Sequence, residues 1–103
     1  MIYVIATIEL VPGSRPDFVR EFNANVPNVL AEEGCIEYAP AIDLQTSIAA
    51  QGDARENVVT VVEKWSDTEA LEAHLIAPHM LTFRAKVKEF VKTVALQVLE
   101  PAV

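Results

Sequence analysis

The sequence predicts an α+β fold, a ferredoxin-like βαββαβ order with an antiparallel sheet. Three observations predict it. Four apolar stretches have strand character, and two of them alternate clearly with period two: residues 2–11 and residues 57–65. Two stretches with helical spacing separate these strands. The turn chemistry divides the chain into strand, helix, two strands, helix and strand, which is the split βαβ pattern.

Residues 2–11 place Ile2, Val4, Ala6, Ile8 and Leu10 on one face and Tyr3, Ile5, Thr7, Glu9 and Val11 on the other. Both faces are largely apolar, as in a strand covered on two sides. Pro12-Gly13 ends it. Ser14 is expected to cap a helix, with Asp17 in the first turn where the helix dipole favours negative charge. Phe18, Phe22 and Val26 recur every four residues, and Val29 and Leu30 continue the stripe. Pro27 lacks a backbone donor and should kink or split this helix. Glu32-Glu33-Gly34 closes it, with Gly34 suited to a C′ position.

Residues 35–46 read as the second strand, and Pro40 implies an edge or a bulge. The polar stretch 51–56 reads as a hairpin loop. In the third strand, residues 57–65, a Val58, Thr60, Val62, Lys64 face opposes Val59, Val61, Glu63 and Trp65. Ser66 and Glu69 have capping-box spacing for a helix over 67–76, which carries Ala70, Leu71, His74 and Leu75 on one side. Pro78 starts a further helix with apolar positions Met80, Phe83, Val87, Phe90 and Val91 and with Lys86, Lys88 and Lys92 in its later turns. Residues 93–99 form the last strand, and Pro101 stops it. The helices would cover one face of the sheet. The other face, with Tyr3, Ile5, Val58 and Val62, is too apolar for water, so two sheets should pair across a two-fold axis.

A length of 103 residues suits one domain, 1–103, and an apolar content of 51% is high for such a length, again pointing to burial against a second copy. A net charge of −7 with no dense basic run argues against nucleic acid and against an anionic membrane surface. No apolar run is long enough to span a bilayer. The N-terminus lacks the basic region of a signal peptide. The lone Cys35 excludes an internal disulfide and fits the cytoplasm, and neither CxxC nor HExxH occurs, so no metal is expected.

Chemistry-bearing residues gather at one strand-to-helix corner: Glu63 and Trp65 on the third strand, His74 on the helix that follows, and His79 just after Pro78. A His–Glu pair could deprotonate a phenol or hold a phenolate. A buried histidine bonded to Glu63 merely to dock helix on sheet would carry the same pattern. His79, at a helix N-terminus, should stay neutral, or it is a surface or capping residue. Trp65 offers a flat wall for an aromatic ligand, or it is core. Tyr38 either faces the pocket or packs. Phe83 is a further apolar wall. Arg84 reads as an exposed helix charge, and Cys35 as a small buried hydrophobe.

The run Glu63-Lys-Trp65-Ser-Asp-x-Glu-Ala-Leu-x-x-His74 with Pro78-His79 carries a resemblance over nearly the whole chain, together with Pro12-Gly13 and Glu33-Gly34-Cys35-Ile36-Glu37-Tyr38. The chain resembles the antibiotic biosynthesis monooxygenase superfamily, the dimeric α+β barrel proteins, and within it the small quinol-monooxygenase type. That superfamily includes oxygenases of quinols and polycyclic phenols that use no metal or flavin, haem-degrading enzymes, an isomerase of a phosphorylated autoinducer, and proteins of no known activity. The resemblance implies a pocket between helices and sheet with Trp65 pointing into it and Glu63 on the same face. It places Ala6 where the haem-degrading branch has an essential asparagine, which counts against haem. It places Val61 and Leu71 where polyketide-tailoring oxygenases have substrate-contacting Asn and Tyr, which counts against that substrate class. The expectation is a homodimer that oxygenates a small aromatic with dioxygen as co-substrate and no cofactor. In it His74 takes the phenolic proton, Glu63 orients His74, Trp65 stacks on the ring and His79 assists at the oxygen. The alternatives are an isomerase of a small hydroxyketone, and a non-catalytic ligand-binding or stress-response dimer, which a pocket sealed by large side chains would favour.

Overall fold

The computed structural model describes residues 1–103. The elements run β1 (Ile2–Leu10), α1 (Arg15–Leu30), β2 (Cys35–Ala41), β3 (Val58–Trp65), α2 (Thr68–Leu75), α3 (Pro78–Val87) and β4 (Val91–Leu99). The four strands form one antiparallel sheet in the order β2-β3-β1-β4. This is the expected α+β, ferredoxin-like arrangement. All three helices pack on one face.

Alternation sets that packing. Val4, Ala6 and Ile8 of β1 pair with Glu63, Val61 and Val59 of β3, so these residues share the helix side and are buried there. Phe18 and Phe22 of α1 descend onto this layer and meet Phe83 of α3 and Tyr38 of β2, with Phe22 stacked on Tyr38 at 5.2 Å. The helices cover β2, β3 and β1 but stop short of β4. Val94, Leu96 and Val98 pair with Ile8, Ala6 and Val4 and so lie on the helix side, yet each remains exposed. On the opposite face Tyr3, Ile5 and Val58 are half-buried and Val62 is exposed, the bare apolar surface the sequence predicts.

Several boundaries differ from expectation. Ser14 is the N-cap residue of α1 but does not bond into the helix. Its hydroxyl donates to the Val11 carbonyl at 2.6 Å, tying the helix start to the end of β1. Pro27 does not split α1, which continues to Leu30 with Ala31 N–H donating to the Pro27 carbonyl. β2 sits at the sheet edge, where Pro40 can be tolerated, but ends at Ala41 and not at residue 46. Beyond it, Asp43 turns away to accept two side-chain bonds and one backbone bond from Arg55, so residues 42–57 form one long connection, wider than a hairpin loop over 51–56. The cap of α2 is Asp67, whose carboxylate accepts from Ala70 N–H at 2.8 Å. Ser66 instead donates its backbone N–H to the Gly34 carbonyl. α3 ends at Val87. Phe90 lies in the turn that follows, where its carbonyl accepts from Val11 N–H, and Val91 and Lys92 already belong to β4.

Candidate active site

A cavity of about 520 Å³ lies between the helices and the helix side of the sheet, within the size range of small-molecule sites. Its walls are mostly apolar. Ala6, Val61 and Phe83 line it as expected, and the uncovered Val94 and Leu96 of β4 form its outer wall. It is not sealed by large side chains. Three nearly buried polar residues face it: Tyr38 from β2, Glu63 from β3 and His74 from α2.

The geometry around His74 corrects one expectation. Its partner is Glu32, in the turn after α1, not Glu63. His74 Nδ1 lies 2.9 Å and 3.2 Å from the two carboxylate oxygens of Glu32. His79 Nε2, arriving from α3, lies 2.7 Å from the same Oε2. One carboxylate thus ties together α1, α2 and α3. A carboxylate accepts, so His74 carries its proton on Nδ1 and leaves Nε2 with a free lone pair. No hydrogen bond engages Nε2, yet no buried side-chain nitrogen or oxygen lacks a partner, so Nε2 keeps accessible surface in the cavity wall. Burial pulls the His74 imidazole below its ordinary value, against the opposing pull of Glu32, and the ring is neutral at pH 7.

Glu63 has a different partner. Trp65 Nε1 donates to its Oε1 at 2.8 Å. Burial pushes the Glu63 carboxyl up to about 7, opposed by this bond and reinforced by the nearby Glu32 charge. Its Oε2 and the Tyr38 hydroxyl make no protein hydrogen bond and, by the same reasoning, retain surface. Burial, then Glu63 and Glu32, raise the Tyr38 phenol far above its ordinary value, so it stays a neutral donor. Burial likewise raises the half-buried Cys35 thiol to about 11, so it is no nucleophile at neutral pH.

Trp65 does not line the cavity. It is 0% exposed and packs its indole 4.7 Å from the His74 ring, with Tyr38 on the ring's edge at 5.4 Å. Because it sits two residues beyond Glu63, on the same face of β3, it lies beneath the histidine and away from the open space. Leu71 is buried outside the cavity. His79 stands at a separate polar cleft between α1 and α3, beside Asn25, Asn28 and Lys86. Arg84 reaches the cavity rim and donates to the Leu75 carbonyl at 2.7 Å. Glu32 was missed in the sequence. The one available signal was its position: a carboxylate at a helix C-terminus opposes the dipole and needs a cationic or N–H partner. No group of three or more His, Cys, Asp or Glu side chains has the arrangement of a metal centre.

The antibiotic biosynthesis monooxygenase family model matches residues 1–86. The chain belongs to this family. It is 37% identical to the Escherichia coli K12 protein "Probable quinol monooxygenase YgiN" over 105 aligned positions that cover 100% of both chains. Among solved structures it is similar to PA3566 from Pseudomonas aeruginosa, with 27% identity, a TM-score of 0.80 and coverage of 99% and 94% of the two chains. It is also similar to Rv0793 from Mycobacterium tuberculosis, with 27% identity, a TM-score of 0.78 and coverage of 99% and 95%. No helix is long and apolar enough to cross a membrane.

Proposed function

We propose that this chain is a quinol-type monooxygenase that needs no added cofactor, acting in the cytoplasm as a homodimer of one 1–103 domain on a small electron-rich aromatic. The observation that carries the reading is the apolar cavity into which His74 Nε2 opens while Nδ1 is held by Glu32. Likeness to the Escherichia coli protein named "Probable quinol monooxygenase YgiN" supports the substrate class.

The chemistry follows from the spin state of dioxygen. Triplet oxygen reacts slowly with closed-shell molecules, but a phenolate donates one electron readily. His74 Nε2 takes the phenolic proton, and the anion transfers an electron to oxygen to give a semiquinone and superoxide. The pair recombines at a ring carbon as a hydroperoxide. Loss of that carbon's hydrogen and cleavage of the O–O bond release water and leave a carbonyl, so quinol plus dioxygen become hydroxyquinone plus water. Dry walls keep the radical pair caged. The Tyr38 hydroxyl donates to the developing anion. Glu63, with a value near neutrality, delivers the proton that leaves with the distal peroxide oxygen. Glu32 sets the His74 tautomer, the role expected of Glu63. Trp65 positions both His74 and Glu63 and does not stack on the ring. Val61, Ala6 and Phe83 shape the floor.

Oxygen uptake by metal-stripped protein with hydroquinones, naphthols and anthrones, in the presence of superoxide dismutase, tests this. The expected result is uptake that falls on the order of 100-fold or more in His74→Ala, with one oxygen atom from labelled dioxygen in the product. Absence of uptake across the panel, or uptake indifferent to His74, would overturn it.

A further inference from the structure

Two cations stand at the mouth of the cavity without an acidic partner. The cavity lining includes Arg84 and Lys88, both exposed, whereas Tyr38, Glu63 and His74 lie buried at its far end. We propose that Arg84 and Lys88 bind a carboxylate carried by the ring, so that the substrate class is a hydroxylated aromatic acid. This rests on the reading of the cavity as a quinol site.

The chain has eight Lys and Arg against fifteen Asp and Glu, so a cation without a carboxylate is not for want of acids. Arg20, Arg55, Lys64 and Lys92 each have a carboxylate partner. Arg84 and Lys88 have none. They stand four residues apart on α3, and Lys88, at the helix end, keeps helical angles, so both lie on one face. Like charges at this spacing repel, and an anion between them offsets that cost. The dipole of α3 favours cations in its last turn but does not choose their side. Lys86 suits the dipole equally and lines the polar cleft with His79 instead. That cleft is separate from the cavity, so His79 does not assist at the oxygen as expected.

Arg84 is also oriented. Its guanidinium donates to the Leu75 carbonyl at 2.7 Å, which fixes it beside the residue that follows His74. Its remaining N–H donors form a planar fork that matches a carboxylate. Burial dominates the titration of His74 and Tyr38, yet the Arg84 charge also lowers both, as a cation facing the same space should. At the buried end an ionised Glu63 repels a carboxylate, and at the mouth Arg84 and Lys88 attract one. A single orientation follows, with the hydroxyl toward His74, the carboxylate toward α3 and the ring against the apolar walls. Neutral quinols fit the same walls without this anchor.

Calorimetric titration under nitrogen, with 1-naphthol and with hydroxynaphthoates that differ from it by one carboxylate, reads the subsite without turnover. The best hydroxynaphthoate should bind wild type about tenfold more tightly than 1-naphthol, and its methyl ester should lose that advantage. Arg84→Gln and Lys88→Gln should each reduce the ratio of the two affinities about threefold, whereas Lys86→Gln, with the same change in net charge, should leave the ratio as in wild type. Both side chains at the mouth are exposed, so neither substitution disturbs the core. Equal affinity for 1-naphthol and every hydroxynaphthoate would overturn the proposal. So would a preference that survives the double variant or falls equally in Lys86→Gln, because the attraction would then lie elsewhere. Oxygen uptake separates the two readings. Carboxylate preference in a protein that consumes no oxygen leaves the subsite standing and removes the quinol reading, and uptake with no carboxylate preference does the reverse.

Discussion

Glu63 is a carboxyl group placed among apolar side chains with a single hydrogen-bond donor, Trp65, to favour its charge. The consequence for stability follows from its sign. Its folded value of about 7 stands above the ordinary 4.5, so between these limits the folded chain holds more protons than the unfolded one. Stability from this group is therefore full below about 4.5, falls as pH rises, and levels off above about 7, a loss of roughly 3 kcal/mol. His74 works in the opposite direction, because burial lowers its value and stability rises as pH climbs towards 6.5. Glu63→Gln separates the two. Urea unfolding between about pH 5 and about pH 8 should show the decline shrink in this variant. A pH slope equal to wild type would mean that Glu63 ionises freely when folded. Glu63 and His74 were legible at one corner because strand alternation and helical spacing decide which way a side chain points; Ala6 and Val61 came from the family resemblance, and the pattern left Tyr38 open between facing the cavity and packing. Glu32 was not legible. Its role depends on where a turn lies relative to two helices that follow about forty residues later, and local pattern carries no such distance.

At the scale of elements, the junction between the end of α1 and the β3–α2 corner determines where Glu32 stands. Gly34 makes that junction. Its φ of +82° lies in the left-handed region, its carbonyl accepts from Ser66 N–H, and a Cβ there would stand 2.5 Å from Ser66 Oγ and 2.6 Å from Ala70 Cβ. Gly13 provides the comparison, with φ +85° and open space around the missing Cβ. Gly13→Ala should cost only backbone strain, about 1 kcal/mol, whereas Gly34→Ala should cost about 2–4 kcal/mol because a clash adds to it. Gly34→Ala should also perturb the His74 ring resonances, since Glu32 lies two residues away. Equal losses for the two variants in urea unfolding would refute the close approach. The sequence located both glycines as element ends, but only packing distinguishes them. The same limit explains the cap of α2. Ser66-x-x-Glu69 and Asp67 both have cap chemistry, and the choice falls to Asp67 because Ser66 is held back by Gly34 across the corner.

The whole molecule is a slab of 39 × 37 × 20 Å, one sheet under one layer of helices. A slab of this kind leaves a sheet face bare, and here the face is apolar at its centre: Ile5 of β1 pairs directly with Val62 of β3, the two inner strands. Burial against a second copy removes this face from water without any change in the strands, and a two-fold axis brings the same residues of both copies together. One substitution therefore introduces two charges per dimer. Ile5→Glu or Val62→Glu should dissociate it, because two like charges desolvated near the axis repel and Lys64, the basic residue beside Val62 on this face, is already paired with Glu37 at 3.5 Å. Val98→Glu is the control, since Val98 is equally apolar and exposed but lies on the helix side beside Val4. Sedimentation equilibrium should give the mass of two chains for wild type and Val98→Glu, and of one chain for the other two, with the far-ultraviolet circular dichroism unchanged throughout. Added salt should tighten the wild-type dimer, because each copy carries a net charge of −7 and the contact is apolar. A wild-type protein that sediments as one chain at micromolar concentration would show that this face meets water after all. The cavity would then be completed by β4 and the helices of a single chain.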